Sequence, residues 1–379
     1  MMRLIFFSSA IVLSIGYAIF ILVLYRGLAK LQTGTNRQRY RISVVIAARN
    51  EAQHIGHCLK ALLAQTYPSD LFEIIVVDDR STDGTAAILD DYQAQSPRLR
   101  MIRVTSVPAG ISPKKNALAQ GIQAACGEII VTTDADCQPH PQWLESLIPF
   151  FEPDVGLVAG FSPLEINRNS LIQKLFVLDS LSLAGLAAGS FGWGKPLTCN
   201  GRNLAYRRET FQEVDGFKQI QHFVSGDDDL LLHLIRQKTR WQTRYALSKT
   251  AIVRSQAPES WQQFFQQRIR HASKGRYYPG WLKLILIAIY LVNLSLVSLL
   301  VMALFVPNAL AMWLGCLLIK SSAEYLLVGK MANYFGYRDV LAAFPVAMGL
   351  HPFYVTVFGL WGQLGRFRWK GTSFQATSA

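Results

Sequence analysis

The sequence predicts an α/β fold with a mostly parallel sheet, flanked by membrane-crossing helices. Apolar β-branched runs alternate with helical patterns from about Arg41 to Lys249. Polar or acidic clusters stand just past three of those runs, and long uncharged blocks lie on either side of the region.

Taken in order, Leu4 to Leu24 carries no charge and is long enough to cross a hydrocarbon core of roughly 30 Å. Arg3 precedes it, as in a signal peptide, but no small-x-small cleavage site follows, so residues 1–30 are expected to be an anchor. Lys30, Arg37, Arg39 and Arg41 come next. By the positive-inside rule they keep the middle of the chain cytoplasmic, in a multi-pass protein of the inner (cell) membrane.

The α/β region is expected over residues 40–280. Ile42 to Ala48 is its first strand, with Asn50 a possible cap for a helix running to Leu63 and Ala64. Glu73 to Val77 is the next, ending at Asp78 and Asp79, and Ser81 to Thr85 opens another helix with capping residues. Arg100 to Val104, Ile129 to Thr133 and Gly156 to Ala159 supply three more strands. Ligands of such sheets lie outside the carboxyl ends of the strands. The clusters Ala47-Ala48-Arg49-Asn50-Glu51, Asp78-Asp79 and Asp134-Ala135-Asp136 should therefore share one crevice. A strand sends alternate side chains to one face, so Asp134 and Asp136 can converge on a cation or a phosphate-bound metal. Each cluster read alone is a solvated turn, and for Ser81 to Thr85 capping is the main role.

Asn169 to Gly189 is apolar and rich in small residues, with Lys174 and Asp179 its charges; it reads as a buried core helix or as a helix bordering the bilayer. Phe264, Phe265, Tyr277, Tyr278 and Trp281, with Arg268, Arg270, Lys274 and Arg276, have the composition of a membrane interface. Residues 281–365 should be membrane helices: Leu284 to Phe305, a turn at Pro307 and Asn308, then Leu310 to Val328. Lys320 and Glu324 are placed to face each other, lining an acceptor passage or pairing within the bundle. Pro345, Gly349, His351 and Pro352 interrupt the last block, which is expected to re-enter or lie at the interface, ahead of a basic tail at 366–379.

The formal charge of +13 needs an anionic partner. Basic residues cluster beside the apolar blocks, which points to membrane lipids. No zinc-finger spacing, RNP-like aromatic motif or basic heptad appears, so a nucleic-acid partner is not expected. Cys58, Cys126, Cys137, Cys199 and Cys316 are odd in number, scattered and without C-x-x-C spacing; they read as reduced packing thiols.

Val44 to Glu51, Val76 to Thr85, Lys115-Asn116-Ala117-Leu118 and Gly127 to Asp136 together resemble the family 2 glycosyltransferases of GT-A fold. The likeness continues, in the family's order, through Asn200 to Arg208, Ser225-Gly226-Asp227-Asp228, Ala257 to Trp261 and Gln267-Arg268-Ile269-Arg270-His271.

The resemblance implies that Ala48, Glu51 and Asp79 hold the donor nucleoside, Asp79 accepting from a uracil ring. Lys114 or Lys115 would lie near the base or diphosphate, with Lys115 the candidate that the Lys-Asn-Ala-Leu motif contains. Asp134 and Asp136 would bind the sugar nucleotide and a Mg²⁺ or Mn²⁺ ion. Asp228 would be the general base of an inverting transfer, with Asp227 the alternative one residue away and Asp229 capping or neutralising the helix expected from Leu230. Arg270 would pair with the diphosphate, while Asn203, Gln267 and His271 would face the acceptor. The family's processive synthases usually carry Trp where His271 stands, and loss of that ring argues against chain extension. The function implied is transfer from a nucleotide-sugar donor, UDP-linked, to a lipid or membrane-held glycan. Alternatives are a processive polysaccharide synthase and a non-catalytic nucleotide-sugar-binding membrane protein.

Overall fold

The computed structural model describes residues 1–166, 170–258, 260–369 and 372–375. Asn169, Glu259 and Lys370, used in the sequence reading, lie outside the described residues. The chain forms two compact units, one from Leu31–Glu165 and Gly194–Gln256, the other from Met1–Lys30, Ile166–Trp193 and Ala257–Ser378. The segment around residues 166–193, expected within the α/β region, thus groups with the long apolar helices.

Helix α1 (Met2–Gly27) precedes the α/β unit. There β1 (Ile42–Ala48), α2 (Ile55–Leu63), β2 (Phe72–Asp79), α3 (Thr85–Gln95), β3 (Leu99–Val104), α4 (Pro113–Ala124) and β4 (Ile129–Thr132) alternate as the sequence predicts. The strands are continuous apolar runs because both faces are covered: Val44, Val45, Ile46, Ile74, Ile75, Val76 and Val77 have no exposed surface. Short strand β5 (Cys137–Pro139) and helix α5 (Trp143–Leu147) lead to β6 (Val155–Gly160) and β7 (Leu164–Glu165). Helix α6 (Leu171–Gly192) then belongs to the helical unit, and the α/β unit resumes with β8 (Leu204–Arg207), α7 (Arg208–Glu213), α8 (Asp229–Lys238), β9 (Gln242–Ala246) and β10 (Val253–Gln256).

The seven-stranded sheet has the order β3-β2-β1-β4-β8-β6-β9. β3, β2, β1 and β4 run parallel, and β8 is antiparallel to both β4 and β6. Ala48 pairs with Asp78, and Val45 with Thr132, so the polar residues that follow β1, β2 and β4 emerge at one edge. Strands β5, β10 and β7 form a separate small sheet. Sequence alone missed β5 and β7 to β10, which are short and lack long β-branched runs.

The helical unit continues with α9 (Trp261–Ser273), α10 (Gly280–Met302), α11 (Ala309–Phe335) and α12 (Phe344–Leu364). Among the described residues, five helices are long and apolar enough to cross a membrane: those of α1, α6, α10, α11 and α12. Side chains such as Leu284, Ile287, Leu318 and Leu364 lie largely exposed along them, a surface suited to lipid, as in a membrane protein. The expected turn at Pro307 and Asn308 is present, with Asn308 left-handed at φ 65° ahead of α11. The expected interruption of the last block does not occur. Pro345 falls in the first turn of α12, where its missing N–H costs nothing, and Pro352 is accommodated inside one continuous helix.

Polar contacts tie these helices together. The Lys320 ammonium donates to both carboxylate oxygens of Glu324 at 2.8 Å, as their spacing predicts, and lies 2.8 Å from Nδ1 of His351. Tyr17 of α1 donates to the same carboxylate at 2.6 Å. Arg268 of α9 pairs with Asp179 of α6 and lies over the Phe264 ring. In lipid, where the hydrophobic effect between helices vanishes, such bonds and close backbone approach carry association.

The closest approach is between α1 and α6. A Cβ on Gly189 would lie 2.3 Å from the Leu24 carbonyl oxygen, and one on Gly27 2.0 Å from that of Gly189. Only glycine fits. Gly189→Ala should therefore cost the detergent-solubilised protein about 1–3 kcal/mol in thermal or chemical unfolding, the usual toll of overpacking. Gly315→Ala, at a position with nothing within 4 Å, should change little; equal effects would show that the α1–α6 contact is not tight.

Candidate active site

The loops after β1 and β2 are built as one piece. Asn50 and Arg80 both adopt left-handed backbone, with φ 53° and 57°. Asn50 does not cap α2; its amide donates to Ser81 Oγ at 3.0 Å, and its Oδ1 accepts from the Thr82 amide at 2.8 Å. The Glu51 amide donates to Thr85 Oγ1 and the Ala52 amide to Asp83 Oδ2, at 2.8 and 3.1 Å. Asp83 Oδ1 accepts from the Thr85 amide at 3.0 Å, so the acid before α3 meets its first amide, although the N-cap position itself is Gly84 and has no side chain to bond. Glu51, half-buried, and Ala48, buried, are thereby fixed beside Asp78 and Asp79.

Asp79 is 3% exposed. The Arg80 guanidinium lies on it, Nε to Oδ1 at 2.8 Å and Nη2 to Oδ2 at 3.3 Å, while Arg49 Nη1 lies 3.9 Å from Oδ2. Sequence gave Arg80 no role of its own, because the left-handed turn that folds it back leaves no trace in residue type.

The centre of the site is Lys114, near the start of α4. Its ammonium lies 2.8 Å from Asp134 Oδ1 and 2.9 Å from Asp227 Oδ2. Burial opposes the charge, yet the carboxylates of Asp134 and Asp227 outweigh it and hold the Lys114 pKa above its ordinary value. Lys115 points elsewhere: fully buried, it donates to the carbonyls of Phe223 and Ser225, at 2.5 and 2.7 Å, and so anchors the segment leading into Asp227. Adjacent helical positions diverge by about 100°, so only one of the two lysines faces the carboxylates.

Asp228, not Asp229, caps α8. Its Oδ1 accepts from the Asp229 amide at 2.7 Å and its Oδ2 from the Gly201 amide at 3.2 Å. The helix starts one residue earlier than expected, which moves the capping role, and Asp229 is buried in its first turn. A Cβ on Gly201 would come within 3.2 Å of Asp227 Oδ2, so the Asn200-Gly201 turn packs closely on both acids. Asn203 is fully buried: its amide donates to the carbonyls of Phe161 and Ala251, and its Oδ1 accepts from Trp143 Nε1. With no exposed atom to offer an acceptor sugar, it acts as a brace. Gln267, Arg270 and His271 stand half-buried on α9, in the helical unit.

Mg²⁺ and Mn²⁺ favour oxygen ligands. Asp134 and Asp136 supply carboxylates. Nearby Cys58 donates to the Asp134 carbonyl, and Cys137 to Asp136 Oδ1. Burial, reinforced by Asp136 and Asp134, pushes both thiols toward the neutral form, so they offer no thiolate. Among the described residues no group of three or more His, Cys, Asp or Glu side chains could hold an ion. Asp134 and Asp136 are a pair of oxygen donors, the ligand type that such ions prefer.

Residues 43–214 match glycosyl transferase family 2, and residues 129–348 match glycosyl transferase family group 2. A probable glycosyltransferase, YdaM, of Bacillus subtilis is 28% identical over 240 residues, 62% of this chain and 56% of the relative. Glycosyltransferase AglE of Haloferax volcanii is 38% identical over 188 residues, 49% of this chain and 58% of its own. The chain thus spans little more than half the length of these curated relatives. The mannosyltransferase PcManGT from Pyrobaculum calidifontis, solved with GDP-Man and Mn²⁺, aligns with 92% of this chain and 99% of its own at a TM-score of 0.57 and 22% identity, a likeness of fold.

A raised lysine pKa stabilises fully below the unfolded value and is lost only as pH rises through the folded one, so the Lys114 bridge should persist across the neutral range. Lys114→Gln should destabilise the protein by about 2 kcal/mol, between exposed and buried pairs, by the same amount at about pH 6 and about pH 9. Unfolding measured at both pH values checks this; a difference that disappears by about pH 9 would mean that the ammonium titrates early.

Proposed function

The chain belongs to glycosyl transferase family group 2, and from that premise we propose that it is an inverting glycosyltransferase moving a sugar from a nucleotide-sugar donor to a lipid or membrane-held glycan. The observation that carries the reading is the Lys114 bridge, which gathers a strand-end carboxylate, Asp134, and the Gly226-Asp227-Asp228 segment at one place. A donor diphosphate and an acceptor base have to meet at such a place.

In this reading Glu51 and Asp79 hold the nucleoside at the ends of β1 and β2, and the diphosphate lies toward Asp134 and Asp136. These two aspartates would hold Mg²⁺ or Mn²⁺ together with phosphate oxygens; when bound, the ion offsets charge developing on the leaving diphosphate. Lys114 adds a fixed positive charge beside the same group.

Asp228 serves as the general base. Asp227 is already engaged by the Lys114 ammonium. Asp228 accepts the Asp229 amide on Oδ1 and the Gly201 amide on Oδ2, so its carboxylate is held in a fixed orientation beside Asp227. The acceptor hydroxyl gives its proton to Asp228, its oxygen bonds to the anomeric carbon, and the bond from that carbon to the diphosphate breaks, with inversion. Arg270 is assigned to the diphosphate, and Gln267 and His271 to the acceptor. Lys115 and Asn203 are not assigned to ligands.

A UDP-linked donor is the favoured class, and the basic residues Arg37, Arg39 and Arg41 support a reaction on the cytoplasmic side of a multi-pass inner membrane protein. A lipid acceptor is supported by the apolar helices and by 34% identity over 111 residues, 29% of this chain and 23% of the relative, to a beta-monoglucosyldiacylglycerol synthase of Synechocystis.

Asp228→Asn should lower transfer by roughly 10²–10⁴-fold, the range of general-base catalysis, with donor affinity within about two-fold of the parent. Asp136→Asn should lower both transfer and metal-dependent donor binding. Radiolabelled transfer and calorimetric titration separate the two; transfer surviving both substitutions would refute the assignment.

A further inference from the structure

The carboxylate assigned to the nucleobase is already occupied by the protein's own side chain. Arg80 follows β2 directly, and its φ of 57° is a conformation that a long side chain rarely adopts. The turn around it is over-determined: the Ser81 amide donates to Asp78 Oδ1 at 3.2 Å, Ser81 Oγ accepts from the Asn50 amide, and the Thr82 amide donates to Asn50 Oδ1. Held there, Arg80 folds back over its neighbour, and its Nε and Nη2 reach both oxygens of Asp79. A second guanidinium, Arg49, lies 3.9 Å from Asp79 Oδ2, and its buried Nε has no hydrogen-bond partner among the described residues.

A uracil or guanine ring is recognised by a carboxylate through the ring's N–H groups, which have to reach oxygens that the Arg80 fork now holds in a side chain left 5% exposed. The Arg80 side chain is one-third exposed, whereas that of Asp79 is 5% exposed, so the arginine is the partner that can move. We propose that Arg80 is an intramolecular latch on the nucleobase subsite, competing with the base for Asp79 and so weakening the hold on nucleoside diphosphates, donor and spent product alike. The proposal rests on the reading of Asp79 as the nucleoside's carboxylate. Its consequence is kinetic: a product that must share Asp79 with Arg80 leaves sooner. The freed guanidinium remains at the crevice, where a departing base is replaced without leaving the buried carboxylate unpaired.

The test is calorimetric titration of the full-length protein in detergent with UDP, GDP and inorganic pyrophosphate, comparing the parent with Arg80→Gly, Arg80→Asn and Asp79→Asn. Glycine and asparagine both tolerate positive φ, so the turn should survive in either variant. The latch predicts that Arg80→Gly and Arg80→Asn bind whichever nucleotide the parent prefers about five-fold or more tighter, while pyrophosphate, which has no base, is unaffected. Unchanged or weaker nucleotide binding would overturn it, as would equal tightening of pyrophosphate. If Asp79→Asn leaves nucleotide affinity intact, the nucleoside assignment itself fails and the latch with it. A loss in Asp79→Asn together with no gain in the Arg80 variants sinks the latch alone.

Discussion

A single ammonium neutralises two carboxylates that the chain delivers from distant positions. Asp134 arrives at the end of β4, and Asp227 arrives on the loop before α8; Lys114 lies within 2.9 Å of both. Without it, Asp134, Asp136, Asp227 and Asp228 would crowd like charges into a partly dehydrated space, where repulsion is stronger than in water. The bridge therefore explains why an acidic cluster can exist before any ligand arrives. It also explains why the loop before α8 is braced from behind by Lys115, whose ammonium fixes the carbonyls of Phe223 and Ser225. Neighbouring lysines divide the work: one neutralises the acids, the other holds the loop that carries one of them.

The helical unit solves a different problem with related means. Apolar side chains cannot specify partners among apolar helices in lipid, so specificity falls to small residues and polar groups. Gly27, Gly189 and Gly192 allow the backbones of α1 and α6 to touch. Glu324 collects Tyr17, Lys320 and His351 from α1, α11 and α12, so its charge is satisfied where an unpaired one would be costly.

Much of this was legible in the sequence. The parallel strands, the carboxylates at their ends, the membrane helices and the Lys320–Glu324 pair follow from period, spacing and composition, which are local properties. What escaped depends on direction and register. Lys114 and Lys115 are chemically identical, and only the pitch of α4 decides which one meets Asp134. The capping of α8 falls to Asp228 and not to Asp229 because the helix begins one residue early. Asn203 was expected to meet an acceptor, yet its amide satisfies carbonyls in the core beside Trp143. Pro352 was expected to break a helix that it leaves continuous. Arg80 depends on a backbone angle that residue type does not encode.

A single inverting transfer with Asp228 as base leaves its record in the anomeric configuration and the size of the product. Membranes containing the protein, incubated with an α-linked, ¹³C-labelled UDP-sugar and extracted into organic solvent, offer the most direct test through the anomeric NMR signal of the product. A β-linked glycolipid is the predicted result. An α-linked product would contradict the inverting mechanism, and a high polymer that stays out of the solvent would contradict single transfer.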